Sequence, residues 1–550
     1  MGRTFDISLV CLLIVFVSLA EGIPSDVDRE ILFRIDNGYN VGVIVAITDN
    51  NETSYHAYGR TSLSGSAKPD ESTVFEIGSI TKVFTSLMLA EMVETGSMSL
   101  RDPIWKYLPE NVRCPAVDGN EINLSHLATH TSGLPRLPDN LAPADMNNPY
   151  ADYNVKLMYE FLANYTLQRK AGQRYEYSNF GGGLLGHILA RRSGTTYYQL
   201  CRRLVTAPLG MNDTSVRLSA EVENLMAVGY ADSVKTPNWK FDALAGAGAL
   251  RSTARDMVKF LRANMGLEKT PLLNAMQNTH VPRVDTDMPN MKIGLAWHIL
   301  KTDNAEIVWH NGGTGGFRSF IGFVRDRKLG VVVLANSSQS VDDIGFHLLD
   351  SAVPLASLRE SLAVAPNILK GYIGKYELIP GTVFDIAVKD NQLTAELTGQ
   401  PRFTIYPQST DKFFYKVVDA QITFVRDANN MVQALILYQN GINQTAIRVG
   451  SDYKVPGQKQ EVGVSLEVLK AYVGKYQLAP AFVFDIAIQN NQLTAQLTGQ
   501  PRLPIYPESE DKFFYKVVDA QITFVKDANG NVSSLVLHQL GMNQSAKKIE

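Results

Sequence analysis

Cysteine is scarce in this chain: its 550 residues include three, and one of them, Cys11, falls in the apolar stretch at the N-terminus. A disulfide-held scaffold is thereby excluded, because such domains pack many more cysteines into far fewer residues. Cys114 and Cys201 remain as a pair. The sequence admits either one disulfide between them or two buried thiols acting as small hydrophobes. An excess of one charge sign is also missing. Lys and Arg number 52 against 55 Asp and Glu, a net charge of −3, with no Lys/Arg cluster, so the electrostatic footprint of a nucleic-acid binder is absent. Beyond the N-terminus no apolar run approaches the roughly 20 residues that a membrane-crossing helix needs.

The N-terminal run itself, Ile7 to Ala20, follows Arg3 and precedes Glu21-Gly22. A short basic region, an apolar core and small residues at the end predict a signal peptide over 1–22, export, and no membrane attachment once it is removed. Eight Asn-X-Ser/Thr triplets begin at Asn51, Asn123, Asn164, Asn212, Asn336, Asn443, Asn531 and Asn543, so a secreted glycoprotein is expected.

What the chain has is ample core material, 45% hydrophobic against 19% charged, in a length that predicts two or three domains. Its C-terminal third is a repeat with a period of 100: residues 371–450 match 471–550 at 52 of 80 positions, and Asp411 to Val425 recurs unchanged at Asp511 to Val525. Each copy alternates apolar and polar residues, as in Phe384, Ile386, Val388 and then Leu393, Ala395, Leu397, across the two-residue turn Asp390-Asn391. Two small all-β, barrel-like units are expected, joined by a polar linker from Gly450 to Gly463.

The chemistry is expected earlier, around Phe75-Glu-Ile-Gly-Ser-Ile-Thr-Lys82. Val83, Phe84, Leu87, Met88 and Met92 continue a helical period that Gly96 ends, so Ser79 and Lys82 lie one turn apart on one face. A serine hydroxyl needs a base at neutral pH, and a lysine supplies one if burial keeps its amine neutral. The same Ser/Lys spacing recurs at Ser409/Lys412, Ser451/Lys454, Ser509/Lys512 and Ser545/Lys548, but there the sequence reads as strands and turns. Two further stretches follow in order, Tyr177-Ser-Asn179 and His310-Asn-Gly-Gly-Thr-Gly-Gly316. Tyr177 is expected on a loop, where a phenol near a lysine ammonium would ionise more easily and move a proton. His126 and His130 are four apart, yet Leu127 stands where a zinc hydrolase places glutamate, so no metal is implied and His130 is read as a hydrogen-bonded core or turn residue.

Ser79-Ile-Thr-Lys82, Tyr177-Ser-Asn179 and His310-Asn-Gly312, with Leu127-Ala-Thr-His-Thr-Ser-Gly-Leu-Pro135 and Trp309-His-Asn-Gly-Gly-Thr-Gly-Gly-Phe317, resemble the active-site elements of class C β-lactamases, D-Ala-D-Ala carboxypeptidases and related esterases. The resemblance implies a serine hydrolase domain over 23–355, with an α/β fold of an antiparallel sheet flanked by helices plus a helical subdomain. It implies that Ser79 is acylated, Lys82 takes its proton, Tyr177 serves as acid and base, and Asn179 orients the substrate. The amides of Ser79 and Gly313 would form the oxyanion hole, Gly312 and His310 would line the substrate side, and no cofactor is needed. Where β-lactamases carry lysine this chain has His310, a weaker anchor for a carboxylate, which favours ester or peptide substrates. The C-terminal copies resemble lipocalin-like domains. Some secreted animal members of the family resemble shell-matrix proteins such as gigasin, so the alternative is an extracellular-matrix structural or binding protein whose repeats hold matrix components.

Overall fold

The computed structural model describes residues 22–451, 461–480, 482–516, 520–539 and 542–550; the expected signal peptide and most of the linker lie outside them. The chain divides into two compact units at Glu360/Ser361.

In the first unit an eight-stranded antiparallel sheet is built from β1 (Gly42–Thr48), β2 (Thr53–Gly59), β3 (Val284–Asp285), β4 (Met291–Ile293), β5 (His298–Lys301), β6 (Glu306–Gly313), β7 (Arg318–Val324) and β8 (Leu329–Ala335), in the order β2-β1-β8-β7-β6-β5-β4-β3. Strands β1 and β2 form a hairpin across the polar turn 49–52, paired from Gly42↔Gly59 to Thr48↔Thr53. Five helices pack on this sheet or in the core beside it: α1 (Ser25–Asp36), α2 (Thr81–Glu94), α3 (Asn179–Arg192), α4 (Ala254–Asn264) and α5 (Asp342–Leu349). Strand β1 is buried at every position because both faces of the sheet are covered. Val43, Val45 and Ile47 pack with Val27 and Ile31 of α1 and Ile344 and Leu348 of α5. Ile44 and Ala46 point the other way, toward Phe260 and Leu261 of α4. Burial of each such side chain contributes roughly 1.5–3 kcal/mol, before conformational entropy is charged against it.

Helix α2 runs through the larger core and is buried nearly all round, which explains an apolar stretch too wide for a surface helix. Between residues 104 and 250 the regular structure is helical apart from two short ribbons, but long stretches such as 129–154 and 207–219 are loop, so the region is less helical than the expected helical subdomain. The glycines at 181–183 lie inside α3, where they permit close contact. A Cβ at Gly183 would meet Leu244 at 2.4 Å, and one at Gly186 would meet Gly246 at 2.7 Å. Cys114 and Cys201 are free thiols, half-buried and buried respectively, which settles their alternative against a disulfide. Asn336, one of the eight glycosylation triplets, is fully buried and donates to the carbonyls of Arg60, Thr61 and Val228. Among the described residues no helix is long and apolar enough to cross a membrane.

Both repeats fold as expected. The first is a closed eight-stranded antiparallel barrel, whose first strand pairs with its last at Tyr376↔Arg448. Its core holds Tyr376, Phe384, Ile386, Phe413, Phe424 and Leu435. Asp390 and Asn391 both take positive φ, as do Asn490 and Asn491, which is what a two-residue turn between twisted strands requires. The copies diverge at one strand. Phe403–Pro407 is continuous, whereas its counterpart breaks into Leu503–Pro504 and Tyr506–Pro507, because Pro504 stands at the position of Thr404 and has no N–H for the ladder.

Candidate active site

Ser79 sits in a single 3-10 turn, Gly78–Ile80, that leads into α2. Lys82, one turn on, is 2% exposed and brings Nζ to 2.9 Å from Ser79 Oγ. Two of the other Ser/Lys pairs make a different contact, and Lys454 lies outside the described residues. At Ser409 and Ser509 the hydroxyl accepts the backbone N–H of Lys412 or Lys512 at 3.2 Å, a turn contact. The stem of Lys82 fits because Gly182 of α3 faces it; a Cβ there would lie 3.1 Å from Lys82 Cε. Nζ donates to the Ala247 carbonyl at 2.7 Å, and Thr85 Oγ1 donates to Gly246 O at 2.9 Å, so α2 satisfies two carbonyls of the one-turn helix Ala245–Gly248.

Burial, with help from the Arg136 charge, holds the Lys82 amine well below the ordinary lysine range. The face of the Tyr177 ring, 5.0 Å from Nζ, favours the charged form, but it does not outweigh the loss of solvent. A neutral amine that donates one N–H to Ala247 keeps a lone pair for the Ser79 proton. Tyr177 hydrogen-bonds Ser79, and here the structure corrects an expectation. The phenol is pushed up to about 12 by burial, which the Ser79 bond and Arg136 only partly offset, so it stays protonated instead of ionising.

Tyr177 is on a loop, as expected, and three residues not singled out as functional hold it there. Ser178 caps α3: its Oγ accepts the Gly181 N–H at 2.8 Å and donates to Pro135 O at 2.7 Å. His130, in left-handed backbone at φ 56°, accepts Glu176 N–H on its carbonyl at 2.7 Å and Ser178 N–H on Nδ1 at 3.2 Å. Its ring lies 4.4 Å from that of Tyr177. The hydrogen-bonded turn role read for His130 is therefore a clamp on the tyrosine. Arg136 places its guanidinium 5.2 Å from the Tyr177 ring centroid. Asn179, the first residue of α3, turns its Nδ2 to the Tyr150 hydroxyl at 3.4 Å.

Strand periodicity sorts the third motif. On β6, Val308 belongs to the core on the α2 side of the sheet while Ile307 belongs to the other core, so the even positions His310 and Gly312 face the nucleophile turn. Asn311 faces away and donates to Asp342 at 2.6 Å. Gly312 presses on that turn: a Cβ would lie 2.0 Å from Ile77 O and 2.5 Å from Ser319 Oγ. Gly313 meets Gly78, where a Cβ would lie 2.6 Å from Gly313 N. The glycine density thus serves first to bring β6 against the Ser79 turn, which sets the Gly313 amide beside the nucleophile. His310 differs from expectation. It is 0% exposed, its Nδ1 is engaged with Asn311 O at 2.6 Å, and burial beside His298 and Lys82 keeps it neutral. With no surface to offer a substrate carboxylate, it is not the group that reads substrate charge.

Because the Gly312 contact is to backbone, Gly312→Ala is expected to force β6 off the Ile77–Gly78 turn and lower kcat/KM by roughly 100-fold, the scale of a 1 Å misplacement. Activity within twofold of wild type would mean that the turn yields freely.

Known proteins match this arrangement. The profile of the Beta-lactamase family matches residues 34–351, and that of a domain of unknown function, DUF3471, matches 358–451 and 458–550. The D-alanyl-D-alanine-carboxypeptidase/endopeptidase AmpH of Escherichia coli is 29% identical over 310 residues, 54% of this chain and 80% of that protein. A β-lactamase of Yersinia enterocolitica is 27% identical over 338 residues, 54% of this chain and 82% of that protein. A class C β-lactamase structure superposes with a TM-score of 0.53 at 25% identity, covering 60% of this chain and 96% of that one. With the family profile spanning more than half of the chain over the very residues that form the Ser79, Tyr177 and β6 site, this protein belongs to the β-lactamase family of serine hydrolases.

Proposed function

We propose that the protein hydrolyses an ester or amide through an acyl group carried on Ser79. The observation that carries this reading is the contact of 2.9 Å between Ser79 Oγ and the amine of Lys82, which burial holds well below the ordinary lysine range. As Oγ attacks the substrate carbonyl, its proton passes to Nζ, and the oxyanion that develops is met by the amides of Ser79 and Gly313. The protonated Tyr177 hydroxyl gives its proton to the leaving group and recovers one through Lys82. Water then enters, loses a proton by the same route in reverse, and releases the acid and free Ser79. Carboxypeptidase and β-lactam substrates belong to the named relatives; for this chain the substrate class is the proposal, ester or peptide-like. Export is supported by the apolar run Ile7 to Ala20. A serine-reactive fluorophosphonate is expected to label the protein at Ser79, with the label lost in Ser79→Ala. Equal labelling of the two proteins sinks the reading.

A further inference from the structure

We propose that Arg136 reads a negative charge on the substrate, so that the site prefers esters or amides bearing a carboxylate; this rests on the hydrolase reading above. The backbone around Arg136 is tied to the start of α3 at several points. The Arg136 carbonyl accepts the N–H groups of Asn179 at 3.0 Å and Phe180 at 3.2 Å, and the Pro135 carbonyl accepts Ser178 Oγ at 2.7 Å. The side chain therefore starts from a position set by the same turn that presents Tyr177. Its guanidinium lies 5.2 Å from the Tyr177 ring centroid, a cation–π contact that holds the long side chain near the catalytic phenol before any substrate arrives.

Arg136 is exposed, and among the described residues no carboxylate pairs with it. Glu176, one residue from Tyr177, is taken by Arg169 and Arg174. The other cations of the site are occupied or enclosed. Lys82 is buried and bound to Ser79 and Ala247. Arg318 donates to the carbonyls of Thr314 and Phe317, both at 2.9 Å. Arg251 faces Glu76 and donates to the carbonyls of Val216 and Trp239. That leaves one guanidinium facing solvent beside the acid that protonates the leaving group. Its charge reaches Lys82, His130, Tyr150 and Tyr177, so it acts at the site and not on a remote surface. A planar, permanently charged fork suits a carboxylate, which it can bind through two parallel hydrogen bonds.

The test compares meta-acetoxybenzoate with its neutral isostere meta-acetoxybenzamide, two aryl acetates that release acetate and a phenol and differ only in the charged group. Arg136 also bears on Lys82, so single rates are ambiguous, but the ratio of kcat/KM for the two esters cancels any change in the base. The ratio in favour of the benzoate is expected to fall roughly tenfold in Arg136→Ala, mainly through KM, to keep part of its value in Arg136→Lys, and to invert in Arg136→Glu. In wild type it should shrink as salt rises from about 50 to about 500 mM. A ratio unchanged within twofold in Arg136→Ala and Arg136→Glu, with neutral-ester turnover still dependent on Ser79, overturns the role of Arg136 and leaves the hydrolase in place. Turnover of either ester that survives Ser79→Ala overturns the hydrolase reading, and this inference with it.

Discussion

Replacing Lys82 with methionine is expected to lower kcat by roughly 100- to 10,000-fold, the usual contribution of a positioned general base, and to raise the melting temperature at the same time. The two effects share a cause. Lys82 is 2% exposed, and burial first, Arg136 second, hold its amine well below the ordinary lysine range when folded. In the unfolded chain the same amine is solvated and protonated up to an ordinary lysine pKa of about 10.4. Unfolding therefore takes up a proton across the whole interval between the folded value and that one, so this position destabilises the fold most at the lower end and progressively less as pH rises. Methionine has nearly the same length and no charge, so its stabilising effect should be greatest near neutral pH and vanish around pH 10. Turnover by wild type should show the complementary dependence, rising with pH through the folded pKa of Lys82 as the neutral base appears. Thermal unfolding of both proteins at about pH 7 and pH 10, with pH–rate profiles of wild type, checks this. If Lys82→Met is less stable than wild type at neutral pH, the lysine is charged in the fold and is not the base.

Arg34→Ala should produce the largest loss of stability, roughly 3–5 kcal/mol, without a matching loss of turnover per folded molecule. Arg34 on α1 is 0% exposed. Its Nε donates to Glu30 at 2.8 Å, its Nη1 to the Ser340 carbonyl at 3.0 Å, and its Nη2 to Asp343 of α5. Removing it leaves Asp343 and Ser340 turned toward a cavity in the layer that covers the sheet on the face opposite the nucleophile. The loss is costly because Asp343 and Glu30, with side chains 18% and 17% exposed, have little water to replace the guanidinium. Urea unfolding of wild type, Arg34→Ala and the double variant Arg34→Met/Asp343→Leu separates the terms, since replacing both partners by apolar groups should recover part of the loss. A shift below about 1 kcal/mol for Arg34→Ala would place this pair with ordinary surface ion pairs.

Much of the molecule was legible in the residues, because the signals that carried it are local. Helix α2 followed from its period, and the repeats from identity at 52 of 80 positions. The pairing of Ser79 with Lys82 followed from helical spacing, and its standing above four other Ser/Lys pairs came from the helix behind it. By itself, then, the sequence determined the strand and helix patterns, the family motifs and the pairing of Ser79 with Lys82, all features set within a few residues of backbone geometry. Tertiary structure alone decided the rest, because charge state and access depend on what arrives from elsewhere in the chain. The lowered basicity of Lys82 requires Ala247 and Gly182 to close over it, and the raised pKa of Tyr177 comes from burial, which outweighs the charges beside it. His310 stands in the right motif but is shut inside the core, while Arg136, in no motif that spacing could single out, is brought by the start of α3 to the edge of the site. Burial sets a group's charge and its reach to substrate, and burial is a property of the packed chain.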